Sequence, residues 1–189
     1  RAAADATQDA LTALLPEFVE RMGTMATSHG VNVVGGSFCA RTAAGGFRNT
    51  AHVFLRDGTH RALDKIHPTP DEREVWHMEG GDRVHAIDTD RGRIGVLVCY
   101  DAEFPELPRR LADQGAEILF VPYCTDTRPG HLRLRYCGHA RAIENQIFVV
   151  AAGTVGMLPE VENFDIHYAQ SAILTHSDHP FARDAVAAE

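Results

Sequence analysis

A cysteine at a strand end can be a nucleophile, and a lysine and a glutamate can lend it charge or move a proton; this chain carries one of each at positions worth weighing. Cys99 ends the apolar run Ile94-Gly95-Val96-Leu97-Val98 and opens Tyr100-Asp101-Ala102-Glu103-Phe104-Pro105-Glu106. A buried strand that stops on a cysteine and turns into a helix puts the sulfur at the helix N-terminus. There the unpaired N–H groups and the helix dipole favour a thiolate. Strand C-termini in α/β sheets are also where ligands bind. Lys65 follows a predicted strand in Leu63-Asp64-Lys65-Ile66-His67-Pro68, and Glu72 lies a short way on, in a loop with Asp71 and Glu74. Each has a plainer reading when taken alone. A strand-end cysteine is commonly a small buried hydrophobe, and lysines and loop acids are commonly solvated charges.

The elements that must position these groups follow from periodicity. Residues 4–28 read as a helix, with Leu11, Leu14, Leu15, Phe18, Val19, Met22 and Met25 at helical spacing. Pro16 is expected to kink or restart it, and His29-Gly30 to stop it. A short strand follows at Val31 to Gly35. Phe47 to Leu55 and His60 to Asp64 form a hairpin around Asp57-Gly58, and residues 66–82 read as loop. A second hairpin pairs Val84 to Thr89 with Ile94 to Cys99. The second half then alternates: helix at Leu107 to Gln114, strand at Ile118 to Val121, helix at Gly130 to Glu144, strand at Ile147 to Ala152, and strand at Tyr168 to Leu174. Hairpins followed by βαβ units predict mixed sheets covered by helices. Without a repeat, linker or low-complexity tract, residues 1–189 read as one domain.

Composition narrows the functional classes. With 44% hydrophobic and 23% charged residues, the chain has the make-up of a soluble globular protein. A net charge of -8 argues against nucleic acid as partner, since no basic excess is present to neutralise phosphates. No apolar stretch approaches a membrane span and no signal peptide opens the chain, so no membrane partner is expected. The cysteines Cys39, Cys99, Cys124 and Cys137 form no CxxC pair, which favours thiols in a reducing cytoplasm over a disulfide framework. Cys124, Cys137 and His139 match no zinc-ligand spacing, so neither metal nor cofactor is expected. The chain opens on Arg1 inside a helical pattern and ends on Ala187-Ala188-Glu189, which reads as truncation on both sides.

Together, Leu-Asp-Lys-Ile-His-Pro followed by Glu72, then Arg-Ile-Gly-Val-Leu-Val-Cys-Tyr-Asp-Ala-Glu-Phe-Pro-Glu, resembles the nitrilase, or carbon–nitrogen hydrolase, superfamily. The likeness extends through Gly115-Ala116-Glu117-Ile118-Leu119-Phe120-Val121-Pro122, through Arg141-Ala142-Ile143-Glu144-Asn145-Gln146 and, upstream, through Val33-Val34-Gly35-Gly36-Ser37. The resemblance implies an α-β-β-α sandwich of mixed sheets covered by helices. It also implies a Glu-Lys-Cys catalytic set acting on a small-molecule amide or nitrile, amides being favoured, and homo-oligomers paired across helical faces. By motif position Cys99 is the nucleophile and Lys65 the catalytic lysine. Glu72 is the second active-site glutamate, which positions the lysine and the substrate. The backbone N–H of Tyr100 is an oxyanion donor.

The family's general-base glutamate belongs to a Pro-Glu segment at the end of an early strand, expected upstream of Arg1. On that reading this stretch alone is inactive. Leu15-Pro16-Glu17-Phe18 mimics the segment but lies within the first helix, so Glu17 reads as a decoy. Around the cysteine, Asp101, Glu103 and Glu106 read as capping residues, with Glu103 the one expected to touch the site. Tyr123, Cys124 and Thr125 follow a strand at the same sheet edge and are expected to line the pocket. His131, Arg135 and His139 read as helix surface or interface, Arg141 and Glu144 as structural. Two other functions compete with an amidase: a non-catalytic nitrilase-fold binding or assembly module, and a cysteine hydrolase of the isochorismatase type. The hairpin-rich first half argues against the latter's parallel sheet.

Overall fold

The computed structural model describes residues 2–157, 159 and 166–189. It divides into two compact units, one ending at Val84 and the other beginning at His85.

In the first unit a long helix, α1 (Ala2–His29), is followed by strands β1 (Val33–Arg41), β2 (Phe47–Phe54) and β3 (His60–Asp64), which form an antiparallel sheet in sequence order. Helix α1 runs unbroken through Pro16. The lost backbone hydrogen bond is offset by Phe18, which stacks on Phe38 at 5.1 Å between ring centroids and meets Phe54 edge-on. Leu14 and Met25, expected on the apolar face, are exposed. Strand β1 outlasts its predicted end at Gly35 because the register shifts between Val34 and Ser37. Gly36, at φ +88°, absorbs that bulge. The hairpin turns where expected, with the Thr59 N–H donating to Asp57 Oδ1.

Residues 66–82, read as loop, contain a short helix, α2 (Pro70–Glu74), and are stitched back onto the sheet. The Gly81 N–H donates to the Lys65 carbonyl, and the Glu79 N–H to that of Phe47, both at 2.8 Å. Gly80 permits this closure, since a Cβ there would stand 2.4 Å from the Ile66 carbonyl oxygen.

The second unit carries a six-stranded mixed sheet in the order β4 (Ile87–Thr89), β5 (Gly92–Val96), β6 (Ile118–Tyr123), β7 (Phe148–Gly153), β8 (Ala172–Leu174) and β9 (Val186–Ala188). Strands β5, β6 and β7 are parallel, as the βαβ pattern predicts, and the outer pairings are antiparallel. The crossovers are α3 (Glu106–Asp113) and α4 (Arg128–Asn145). Helix α3 lies so close over β5 that a Cβ on Gly95 would approach Leu111 Cδ1 to 2.9 Å. The strand expected at Tyr168 to Leu174 is confined to its last three residues. Before it, the backbone of Tyr168 and Gln170 bonds to Thr125 and Tyr123 instead of to a ladder. The closing strand β9 is one the sequence did not announce. Among the described residues, no helix is long and apolar enough to cross a membrane.

One buried group sets an acid limit on the first unit. His52, on β2, is buried against Phe54 and His60, with its Nδ1 3.0 Å from His60 Nε2. Burial, then the neighbouring His60, push its pKa down to about 4, against a small opposing pull from Asp64. His52 is therefore neutral when folded, whereas the unfolded chain takes up a proton below the ordinary histidine value. Stability is full above about pH 6.5 and falls as pH drops toward 4. We expect a loss of about 2 kcal/mol between pH 7 and pH 5 from this residue. Urea unfolding at the two pH values should show it, and His52→Phe should remove most of the difference.

Candidate active site

Within the first unit an ammonium is held by a carboxylate. Strand β3 ends at Asp64 and delivers Lys65 into the protein, its side chain only 3% exposed. A lysine charge buried that far requires a partner, and Glu72 Oε2 supplies it 2.5 Å from Nζ. Local sequence aims this carboxylate. Thr69-Pro70-Asp71-Glu72 is a capping box: the Glu72 N–H donates to Thr69 Oγ1, and the Thr69 N–H donates to Glu72 Oε2 at 2.7 Å. The other oxygen accepts from Asn49 Nδ2 at 2.9 Å, and the Asn49 carbonyl takes the Lys65 N–H. Burial alone raises the pKa of Glu72. The Lys65 charge and the bonds from Lys65, Asn49 and Thr69 overcome it and hold the carboxyl below the ordinary glutamate value. Asp71 and Glu74 sit on the exposed side of the same short helix. The Thr-x-x-Glu signature of the box was legible in the sequence, but the role of Asn49, twenty-three residues away, was not.

Glu17 is placed elsewhere, on an exposed stretch of α1, ion-paired with Arg21 one turn on.

In the second unit, β5 gives way through buried Leu97 and Val98 to a 3-10 turn over Cys99–Glu103. The turn is shorter than the α-helix expected to begin at the cysteine; α3 starts only at Glu106. The dipole at the sulfur is that of one tight turn rather than of an α-helix. Cys99 itself sits at φ +49°, a left-handed conformation uncommon for residues other than glycine. Strain of this kind, at the end of a parallel strand, is a feature of functional turns. The sulfur is partly exposed and lies 3.7 Å from the Cys124 carbonyl oxygen. Arg141 braces the turn: it is buried, and its Nε donates to the Ala102 carbonyl at 3.0 Å while Nη1 pairs with Glu144.

The remaining expected site residues are placed as follows. Tyr100 follows the cysteine and packs edge-on against Phe104. Glu103 is 15% exposed and accepts a 3.0 Å hydrogen bond from Arg133. Tyr123 is the last residue of β6 rather than part of the loop after it. It is buried, with its hydroxyl 3.0 Å from His131 Nδ1 and donating to the Gln170 carbonyl at 3.1 Å. His131, read as helix surface or interface, is buried against that hydroxyl within its own unit. Cys124 is exposed, and Thr125 Oγ1 donates to the Tyr168 carbonyl. All four cysteines are thiols.

The chain is similar to known proteins along most of its length. The sequence model of the carbon–nitrogen hydrolase family matches residues 2–181, and the chain belongs to that family. It is 48% identical over 179 residues to the probable hydrolase YhcX of Bacillus subtilis, covering 95% of this chain and 35% of that protein. It is 33% identical over 157 residues to a deaminated glutathione amidase of Synechocystis, covering 77% of this chain and 58% of the amidase. The chain thus spans about a third to three-fifths of these relatives. Its mixed α/β fold is that of the nitrilase superfamily: Saccharomyces cerevisiae Nit3 superimposes with a TM-score of 0.76 over 90% of this chain and 59% of that one, at 24% identity. The NitFhit protein of C. elegans does so with the same score over 89% of this chain and 43% of that one, at 27% identity.

Two consequences are measurable. Glu72→Gln should cost about 3 kcal/mol in chemical denaturation, because it strands a buried ammonium, and adding Lys65→Met to Glu72→Gln, which keeps an acceptor for Thr69 and Asn49, should recover most of the loss. Because the Glu72 pKa is depressed on folding, this contribution is complete above the ordinary glutamate range and disappears as pH falls through the depressed value. At the turn, Cys99→Gly should leave the melting temperature unchanged or raise it, whereas Cys99→Val, β-branched at positive φ, should lower it by several degrees, on the order of 1–3 kcal/mol.

Proposed function

We propose that the protein hydrolyses non-peptide carbon–nitrogen bonds as an amidase, through a Cys99 thioester. The observation that carries this reading is the conformation of Cys99, held at φ +49° where a buried parallel strand ends. The Glu72-anchored lysine supports it. So do the relatives named amidases, including the deaminated glutathione amidase and the omega-amidase of Xenopus laevis, to which the chain is 32% identical over 147 residues.

In this scheme the Cys99 thiolate attacks the amide carbon, and the carbonyl electrons move onto oxygen. The Lys65 ammonium and the Tyr100 N–H stabilise that oxyanion. The C–N bond breaks, the nitrogen takes a proton and leaves as ammonia or amine, and a thioester remains on sulfur. Water then attacks the thioester carbon, and the acid and the free cysteine are released. Glu72 holds Lys65 in place through their ion pair. Tyr123, Cys124 and Thr125 form the wall beside the sulfur, Tyr123 acting from beneath through His131 and the Cys124 carbonyl facing the thiol. The base that activates the water is not assigned to Glu17, which its bond to Arg21 occupies.

A panel of small amides and ureas, assayed for ammonia release with the full chain of the protein, tests the proposal. Cys99→Ala should abolish release while the circular dichroism spectrum and melting temperature remain near those of the parent. Retained turnover in that variant would exclude covalent catalysis at Cys99.

A further inference from the structure

Cys99 and Cys124 follow the ends of neighbouring parallel strands in the second unit. Val96 of β5 is in register with Phe120 of β6, and the Leu97 N–H still donates to the Phe120 carbonyl at 3.0 Å just before the turn. On the other edge of β6 the Tyr123 carbonyl accepts from the Thr154 N–H at 2.9 Å. Backbone groups of successive residues point to opposite edges of a strand, so the next carbonyl, that of Cys124, faces the β5 side. There it stands 3.7 Å from the Cys99 sulfur. Side chains alternate in the same way. Tyr123 is buried, whereas Cys124 is exposed and Cys99 partly so.

Two thiols so placed can be joined. Neighbouring strands lie about 4.8 Å apart, within the roughly 4.4–6.8 Å between Cα atoms that a disulfide spans. The contact between the Cys99 sulfur and the Cys124 backbone carries the closeness of the two chains beyond their last paired residues. Both cysteines are thiols that solvent can reach.

We propose that Cys99 and Cys124 are a redox pair: hydrogen peroxide oxidises Cys99, and Cys124 captures it as a disulfide that masks the nucleophile until a dithiol reductant releases it. The proposal adds regulation to the amidase site and rests on that reading only for the consequence of masking Cys99. In the first step the Cys99 thiolate attacks one peroxide oxygen. An S–O bond forms, the O–O bond breaks, and hydroxide leaves and takes up the proton that the thiol gave up. The sulfur loses two electrons and becomes a sulfenic acid. In the second step the Cys124 sulfur attacks that of Cys99. The S–S bond forms, the S–O bond breaks, and the departing oxygen takes the Cys124 proton and leaves as water. Two thiols and one peroxide give one disulfide and two waters. A resolving thiol at this place diverts Cys99 from the irreversible sulfinic and sulfonic acids, and an exposed disulfide is of the readily reduced kind.

The test treats the full chain of the protein with excess hydrogen peroxide, blocks the remaining thiols with iodoacetamide and maps the peptides without reduction. We expect a linked Cys99–Cys124 peptide that dithiothreitol separates. In the parent, dithiothreitol after peroxide should restore most iodoacetamide labelling at Cys99, relative to the same protein never oxidised. In Cys124→Ser no linked peptide should form, Cys99 should advance to the sulfinic acid, and the restored labelling should fall roughly fivefold or more. Cys137→Ser should behave as the parent does. Cys99 linked to Cys39 or Cys137, linkage found only between molecules on a non-reducing gel, equal recovery in Cys124→Ser, or a Cys99 that peroxide leaves as a thiol overturns the proposal. These readouts need no turnover. Ammonia release that survives Cys99→Ala would overturn the amidase reading and leave the disulfide result standing.

Discussion

An ammonium that is 3% exposed must have a counter-charge, and much of the first unit is arranged to supply one. Strand β3 drives Lys65 inward, α2 is just long enough to close a capping box, and the box leaves the Glu72 carboxylate pointing back at Nζ. Asn49 fills the second carboxylate oxygen and ties the pair to β2. Gly80 and Gly81 let the chain fold down over Lys65 and close with the Gly81 N–H on the Lys65 carbonyl. A buried ion pair is a poor source of stability compared with apolar packing, because both groups give up hydration. That so many hydrogen bonds are invested in one argues that the charge itself is what the arrangement preserves.

The second unit solves a different problem, that of holding a cysteine in an unfavourable conformation. Three parallel strands supply a rigid base, with Leu97 and Val98 buried immediately before the turn. Arg141 reaches from α4 to the Ala102 carbonyl and fixes the turn from its far side. The Tyr123–His131 contact and the paired Thr125 and Tyr168 segments fix the chain whose Cys124 carbonyl faces the sulfur. Strain at Cys99 persists because the surroundings over-determine it. A flexible loop would relax to negative φ and move the thiol.

The chain belongs to the carbon–nitrogen hydrolase family, and each unit carries one of these two devices. In the amidase reading proposed above, a thiolate and an oxyanion would both call for positive charge. The two groups differ in how they are held. The lysine is fixed by an ion pair and a cap, the cysteine by backbone geometry and packing. Mutational effects should divide accordingly, between charge balance in one unit and conformational strain in the other.

Much of this was legible in the sequence. The apolar run ending on Cys99, the Asp57-Gly58 hairpin, the βαβ alternation and the Lys65 and Glu72 motifs are local patterns, set by side-chain period, turn chemistry and residue type. They determined the fold class and the identity of the candidate groups. What tertiary structure decided depends on contacts between residues far apart in the chain. Pro16 did not break α1, because aromatic packing outweighed one lost hydrogen bond. His131 went inside because Tyr123, eight residues earlier and on another element, offered its hydroxyl. The helix expected at Cys99 became a 3-10 turn, and the strand expected from Tyr168 shortened because its backbone bonded to the loop after β6. The partnerships of Asn49 with Glu72 and of Arg133 with Glu103 join residues 23 and 30 positions apart. No local period encodes them, since they exist only once strand order and helix placement have brought the elements together.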